Sequence, residues 1–282
     1  MYSIGIMQGR LTEPKGRGIQ FFPFENWENE FYIAAELGLN EIEFIFDYDR
    51  YEENPLYTSD GIKSINEIIA KTGVMINSIC FDYFMKKPFY KAASDRVNVL
   101  RKENEKLLEQ VITSCKAIGA RIVEIPLVDN SSIKTQDEED LFVVFISDIA
   151  KNTDVIINLE TDYEPSSFRR LLQYINLRNV MANYDSGNSS GLGYDLYHEV
   201  TTLNSYISNV HIKDRRYKGT SVPLGQGDAD FVKLFNGLSE IEYSGSYILQ
   251  AARSNDGNEK QNIKEQILFL KKLINSHQKR TI

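Results

Sequence analysis

Cysteine is nearly missing from this chain: Cys80 and Cys115 are the only two among 282 residues, and no C-x-x-C pair occurs. A disulfide framework and a zinc ribbon are therefore both excluded, and a reducing compartment is expected. Long apolar runs are also lacking. No window approaches the roughly 18 uninterrupted apolar residues of a membrane span, and the start, MYSIGIMQGRL, has no basic segment followed by an apolar one. The expectation is a soluble, cytoplasmic protein without a membrane partner. Basic runs are limited to the pair Arg215 and Arg216, and 32 Lys plus Arg against 40 Asp plus Glu leave a net charge of −8. Nucleic acid is thereby excluded as a partner, because affinity for it comes mainly from neutralising phosphates. Neither a G-x-x-x-x-G-K-[ST] nor a G-x-G-x-x-G string is present, which argues against a P-loop or a Rossmann nucleotide site.

What is present is a regular alternation. Apolar β-type runs of five to eight residues are separated by amphipathic helical stretches from one end of the chain to the other. The strand candidates are Ser3 to Met7, Glu41 to Phe46, Val74 to Phe81, Arg121 to Leu127, Asp154 to Leu159, Val180 to Tyr184, Ile207 to Ile212 and Ser246 to Leu249. Helix candidates lie near Asn26 to Leu37, Gly61 to Lys71, Asp95 to Ile118, Asp137 to Lys151, Ser166 to Tyr174, Tyr194 to Leu203, Ala229 to Leu238 and Asn258 to Ile274. The third has Val97, Leu100, Leu107, Val111, Cys115 and Ile118 on one stripe. Glycine stops such as Gly38, Gly73 and Gly119 precede the next strand. Eight strand-then-helix units with no linker between them imply one parallel sheet. Closure into a (β/α)8 TIM barrel, a single domain over residues 1–282, removes the two edges an open sheet would have to protect.

In such a barrel the chemistry sits at the C-terminal ends of the strands. Four strands of the second half end alike: VIINLE at Glu160, VMANYD at Asp185, ISNVHIKD with His211, and YILQ at Gln250. The two-residue strand period puts Asn158 with Glu160, Asn183 with Asp185 and Asn209 with His211 on one face, the interior. Glu160, Asp185 and His211 are each separated by about one βα unit, so they reach one height from neighbouring strands. Two carboxylates and an imidazole form a mixed set suited to Mn²⁺, Mg²⁺, Co²⁺ or Zn²⁺. Singly, each has a plainer reading: a hydrogen-bonded core histidine, or a strand-end aspartate capping the next helix. Together they do not, because unpaired acids seldom line a barrel interior without a counter-ion.

Candidate substrate handles follow. Arg10, Lys213, Arg215, Arg216 and Arg253 lie at or just beyond strand ends, and Gly225 to Gly227 precedes a helix. Late barrel loops often bind phosphate through backbone N–H groups and basic side chains. The competing reading makes these cations solvated rim residues paired with Asp47, Asp49 or Asp214. The loop after strand one, Gln8 to Phe24, is long for a βα connection and mixes Arg10, Lys15 and Arg17 with Phe21, Phe22 and Phe24, which makes it a candidate lid.

At these motifs the chain resembles the xylose-isomerase-like sugar phosphate isomerases and epimerases. The resemblance covers essentially the whole chain. It is carried by Asn158-Leu159-Glu160, Tyr184-Asp185-Ser186-Gly187-Asn188, Val210-His211-Ile212-Lys213-Asp214 and Pro223-Leu224-Gly225-Gln226-Gly227. It implies a TIM barrel with one divalent metal ligated by Glu160, Asp185, His211 and the strand-eight position, with Asn188 near the substrate. It also implies an enediolate reaction on a sugar or sugar phosphate, with two carboxylates flanking the substrate, and dimers or tetramers are common in the family. The strand-eight position departs from the pattern, since the family's Glu falls on Gln250. A Gln oxygen still binds a hard cation, though more weakly than a carboxylate, and it cannot act as a base. With Gln250 there, a one-base shift between aldose and ketose needs only Glu160. An epimerase would need Glu124 of VEIP or Glu43 of EIEF to reach the site.

Three rivals compete. Gly187 to Gly191 matches the hydrolase string G-x-S-x-G, but Ser189 stands too far past the strand end for a nucleophile elbow. A trinuclear zinc phosphodiesterase of the endonuclease IV type needs several histidines. Here there are three, with His198 expected on a helix surface and His277 in a polar C-terminal tail. The remaining rival is a barrel that binds a carbohydrate but no longer converts it, for which Gln250 is the best evidence.

Overall fold

The computed structural model describes residues 2–278. Eight parallel strands close into a barrel in the order β1, β10, β7, β6, β5, β4, β3, β2. They are β1 (Ser3–Met7), β2 (Glu41–Ile45), β3 (Ser78–Cys80), β4 (Ile122–Leu127), β5 (Ile156–Thr161), β6 (Val180–Asp185), β7 (Ile207–Ile212) and β10 (Ser246–Leu249). Two further strands, β8 (Asp214–Arg215) and β9 (Ser221–Val222), form an antiparallel ribbon beyond the mouth. The expected (β/α)8 architecture is thus present, and closure leaves no barrel edge unpaired.

The helices are α1 (Trp27–Glu36), α2 (Ser59–Thr72), α3 (Tyr83–Lys86), α4 (Val97–Ala117), α5 (Gln136–Ala150), α6 (Pro165–Ile175), α7 (Ser186–Leu192), α8 (Leu196–Leu203), α9 (Phe231–Glu240) and α10 (Glu259–Gln278). Their ends carry ordinary signals. Thr58 and Thr135 accept the Gly61 and Glu138 N–H groups as N-caps, while Glu164 caps α6 ahead of Pro165. Gly73 ends α2 with φ +72°, a conformation that costs glycine nothing. Alternation along the strands sorts the side chains. On β5, Ile157 and Leu159 join the apolar layer under the helices with Phe168 and Leu171, whereas Asn158 and Glu160 turn inward.

Two differences from the sequence reading have physical causes. The third strand is shorter than Val74 to Phe81: Met75 makes a single bridge to Glu41, and the regular ladder begins at Ser78. Residues 186–192, expected as a Gly- and Ser-rich loop, form α7. Asp185 caps that helix, its Oδ1 accepting the Gly187 N–H at 2.7 Å and the Asn188 N–H at 2.8 Å. Ser189 therefore sits inside a helix and not on the sharp turn a nucleophile elbow needs, and its Oγ donates back to the Asp185 carbonyl at 2.9 Å. His198 is exposed on α8 as expected. His277 instead lies in the last turn of α10, half-buried against the Phe235 ring, and not in a loose tail. Cys80 and Cys115 are both buried free thiols.

Candidate metal centre at the barrel mouth

Asp185 and His211 are direct partners across the β6 and β7 ladder, so the spacing read from the sequence does put them at one height. His211 Nδ1 stands 3.2 Å from Glu160 Oε2 and 4.0 Å from Asp185 Oδ2. One donor atom from each of the three lies within 4.8 Å of the others, and all three residues are buried. Asp185 spends Oδ1 on the start of α7, which leaves Oδ2 turned to the cluster. Glu160 is held from two sides: Asn183 Nδ2 donates to Oε2 at 2.8 Å and Asn188 Nδ2 to Oε1 at 2.5 Å.

The strand-eight position is occupied differently from a carboxylate. Gln250 Oε1 accepts a hydrogen bond from Lys213 Nζ at 2.7 Å, and its amide nitrogen lies 3.4 Å from His211 Nδ1. The opposite amide orientation would set an NH₂ group against the ammonium, so Lys213 fixes which end of Gln250 faces it. Lys213 Nζ also reaches Asp185 Oδ2 at 3.4 Å and Asn188 Oδ1 at 3.3 Å. Its stem lies where a side chain on Gly187 would be: a Cβ there would stand 2.8 Å from Lys213 Cβ and Cδ.

Deeper in the barrel a second layer supports the first. His211 Nε2 is 2.6 Å from Glu43 Oε1 and 3.3 Å from Glu124 Oε2. Both glutamates are buried, so the two residues left open by the sequence do reach the cluster, on the far side of the imidazole. Burial alone would discharge the His211 ring, but Glu43 first, then Glu124 and Glu160, hold its pKa well above the ordinary value. Burial lifts Glu124 well above the carboxylate range, against the His211 charge and with Glu43 and Glu160 adding to it. Glu160 goes the other way. Burial opposes its charge, yet the His211 hydrogen bond and charge, aided by Glu124 and Lys213, bring it down to about 2.

The segment of residues 8–24 roofs this cluster. Arg253, just past β10, donates to the Gly9 carbonyl at 2.7 Å, to Thr12 at 3.0 Å, and twice to Ile19, at 3.1 and 2.8 Å. Gln20 Nε2 donates to Asp82 Oδ2 at 2.6 Å, tying the same segment to the end of β3 on the other bank. Glu30 of α1 pins its start by accepting the Gly9 and Leu11 N–H groups and the Thr12 hydroxyl. Beneath the roof Arg10 is 2 % exposed, donates to the Ile19 carbonyl and to Gln20 Oε1, and has a buried Nε without a protein acceptor. Burial first, and then Arg253, lower its pKa to about 9.

Of the five basic candidates, Lys213 comes to the cluster and Arg215 reaches its edge, donating to Asn188 Oδ1 at 3.2 Å, whereas Arg10 bonds Ile19 and Gln20 within the 8–24 segment. Arg253 faces the roof's carbonyls. Arg216 is exposed on the turn between β8 and β9. Asp214 pairs with none of them: its carboxylate accepts the N–H groups of Gly225, Gly227 and Ala229 and shapes the Pro223–Gly227 loop. Asp82 and Gln20 went unnoticed in the sequence, because a bond between two loops leaves no periodic trace.

The donor set fits a divalent ion. Two buried carboxylate oxygens and one imidazole nitrogen converge within reach of a common centre, and the far imidazole nitrogen is bonded to a carboxylate, the usual support of a metal-bound histidine. Glu160, Asp185 and His211 would hold it; Gln250 gives its amide oxygen to Lys213 and turns its amide nitrogen toward His211.

The sequence profile of the family described as xylose isomerase-like TIM barrel matches residues 31–273. The L-ribulose-5-phosphate 3-epimerase UlaE of Escherichia coli K12 is 23% identical over 242 residues, which are 80% of this chain and 82% of that protein. Among solved structures, an L-ribulose 3-epimerase superposes with a TM-score of 0.77 at 16% identity, covering 100% of this chain and 97% of the other. The D-allulose 3-epimerase of Methylomonas sp., in complex with D-allulose, superposes with a TM-score of 0.74 at 13% identity over 96% of each chain. Among the described residues, no helix is long and apolar enough to cross a membrane.

Proposed function

The chain belongs to the xylose isomerase-like TIM-barrel family, and on that premise we propose that it is a divalent-metal-dependent isomerase or epimerase of a sugar or sugar phosphate, with Glu160 as the base. The observation that carries the reading is the convergence of Glu160, Asp185 and His211 at the barrel mouth. A relative acting on L-ribulose 5-phosphate, at low identity but over four-fifths of the chain, supports the substrate class.

In this reading Glu160 takes the proton from the carbon beside the substrate's carbonyl. Asn183 and Asn188 orient its two oxygens, so the base needs no reorganisation to meet that carbon. A divalent ion, when bound, polarises the carbonyl and contributes several kcal/mol. Lys213 and Asn188 face the substrate's oxygens, and Arg10, with its unpartnered Nε, is the cation beneath the roof to receive an anionic group. Gln250 cannot exchange a proton and is bound to Lys213, which favours a one-base transfer on the Glu160 side over inversion between two bases.

A second reading, a barrel that binds a carbohydrate without converting it, draws on the same glutamine. Purified protein tested for bound metal, and then followed by NMR with a panel of aldoses, ketoses and their phosphates, separates the two. Conversion of any member that ceases with Glu160→Gln supports the enzyme; metal and sugar bound with no conversion across the panel supports the binder.

A further inference from the structure

Glu43 makes three hydrogen bonds, and they are not interchangeable. Its Oε1 faces His211 Nε2 alone, at 2.6 Å. Its Oε2 accepts two donors, the Ser78 hydroxyl at 2.5 Å and Asn209 Nδ2 at 2.8 Å. All four residues are buried. A carboxylate satisfies this arrangement only if His211 presents N–H at Nε2, so the proton a charged ring gives up to an incoming ion is the one on Nδ1, whose lone pair then faces Glu160 and Asp185. The same carboxylate reaches the opposite wall: Asn209 Nδ2 also bonds Asn183 Oδ1 at 3.0 Å, and Asn183 in turn donates to Glu160.

We infer that Glu43 is the positioning residue of this centre: by accepting the Nε2–H of His211 it selects the tautomer whose Nδ1 can bind a divalent ion. This rests on the metal reading above, but it concerns a residue outside the set of Glu160, Asp185 and His211. Glu43→Gln is the discriminating variant because it keeps the shape. The amide oxygen belongs where two donors meet, so the NH₂ group falls against His211 Nε2, which must then accept. The proton moves to Nδ1, which points at Glu160, and the ring loses the lone pair that the ion requires.

Two measurements test this. Manganese and zinc binding by calorimetry should weaken about 10- to 100-fold in Glu43→Gln, with the circular dichroism of the wild type retained. In zinc-loaded wild type labelled with ¹⁵N-histidine, long-range proton–nitrogen spectra should give His211 with a protonated Nε2 and a metal-bound Nδ1. The variant without zinc should show the proton on Nδ1. A zinc-loaded wild-type ring protonated at Nδ1, or a folded variant that binds both ions as the wild type does, overturns the inference even if the fold cannot tolerate other changes at residue 43. Failure of the wild type to bind any divalent ion would instead remove the metal reading on which it stands.

Discussion

Lys213 and Gln250 are bonded end to end, ammonium to amide oxygen at 2.7 Å, at the strand end where the family resemblance implies a carboxylate. The position has not been emptied. It has been paired with a cation that also touches Asp185 and Asn188, so the local charge balance differs by a full unit from that of a glutamate there.

Restoring the carboxylate should therefore strengthen cation binding. Gln250→Glu is expected to tighten manganese affinity by about tenfold or more, corresponding to about 1.4 kcal/mol, because one added charge close to an ion in a buried site exceeds that value even after screening. Calorimetric titration of both proteins checks it. Equal or weaker affinity in the variant would mean that this strand end takes no part in the centre.

Glu160→Gln should leave the thermal transition within a few degrees of the wild type while any sugar conversion falls by about 10²- to 10⁴-fold, the usual worth of a general base. Parallel unfolding and NMR assays are sufficient. Conversion at the wild-type rate would assign the proton transfer elsewhere.

Gly187→Ala should displace Lys213. The new methyl group would press on the Lys213 stem close to its own backbone, where the side chain has little room to swing away. A loss of about 1 to 3 kcal/mol in denaturant unfolding is expected. The variant should also show reduced discrimination between wild-type and Gln250→Glu metal affinities, since the ammonium no longer sits on residue 250.

Stability should fall as pH rises from about 4.5 toward 7, and Glu199 is one cause. Burial between α8 and β6 raises its pKa to about 7. In that interval the folded protein keeps a proton that the unfolded chain releases, so the contribution is present at low pH and lost by about pH 7. Glu199→Gln should match the wild type near pH 4.5 and exceed it above pH 7 by up to about 3 kcal/mol. Melting curves across that range test it; a gain that does not change with pH would exclude the titration as its source.

The residues legible in the sequence were those the strand period governs. Glu160, Asp185 and His211 lie two residues beyond inward asparagines on successive strands, so their convergence follows from closure alone. Glu43 and Glu124 were visible as barrel carboxylates, but their pairing with the back of His211 depends on register across the barrel, from β2 to β7, which no local pattern encodes. α7 was hidden for another reason. Ser-Gly-Asn-Ser-Ser-Gly-Leu has poor helix propensity, and the helix exists because Asp185 caps it and Ser186 Oγ ties it to the carbonyl of Lys213 at 2.8 Å. Arg253 and Arg216 could not be told apart in the sequence. One folds back over the mouth and the other stands in solvent, and only the path of the loops decides between them.

The four bonds from Arg253 to the roof join residues 244, 241 and 234 positions apart. During synthesis, residues 8–24 are made long before their anchor. Phe22 and Phe24 have Phe44 and Arg50 to pack against early, but Phe21 meets the Arg253 guanidinium only once that residue is made, so a growing chain stalled before residue 253 would hold the segment without its tether.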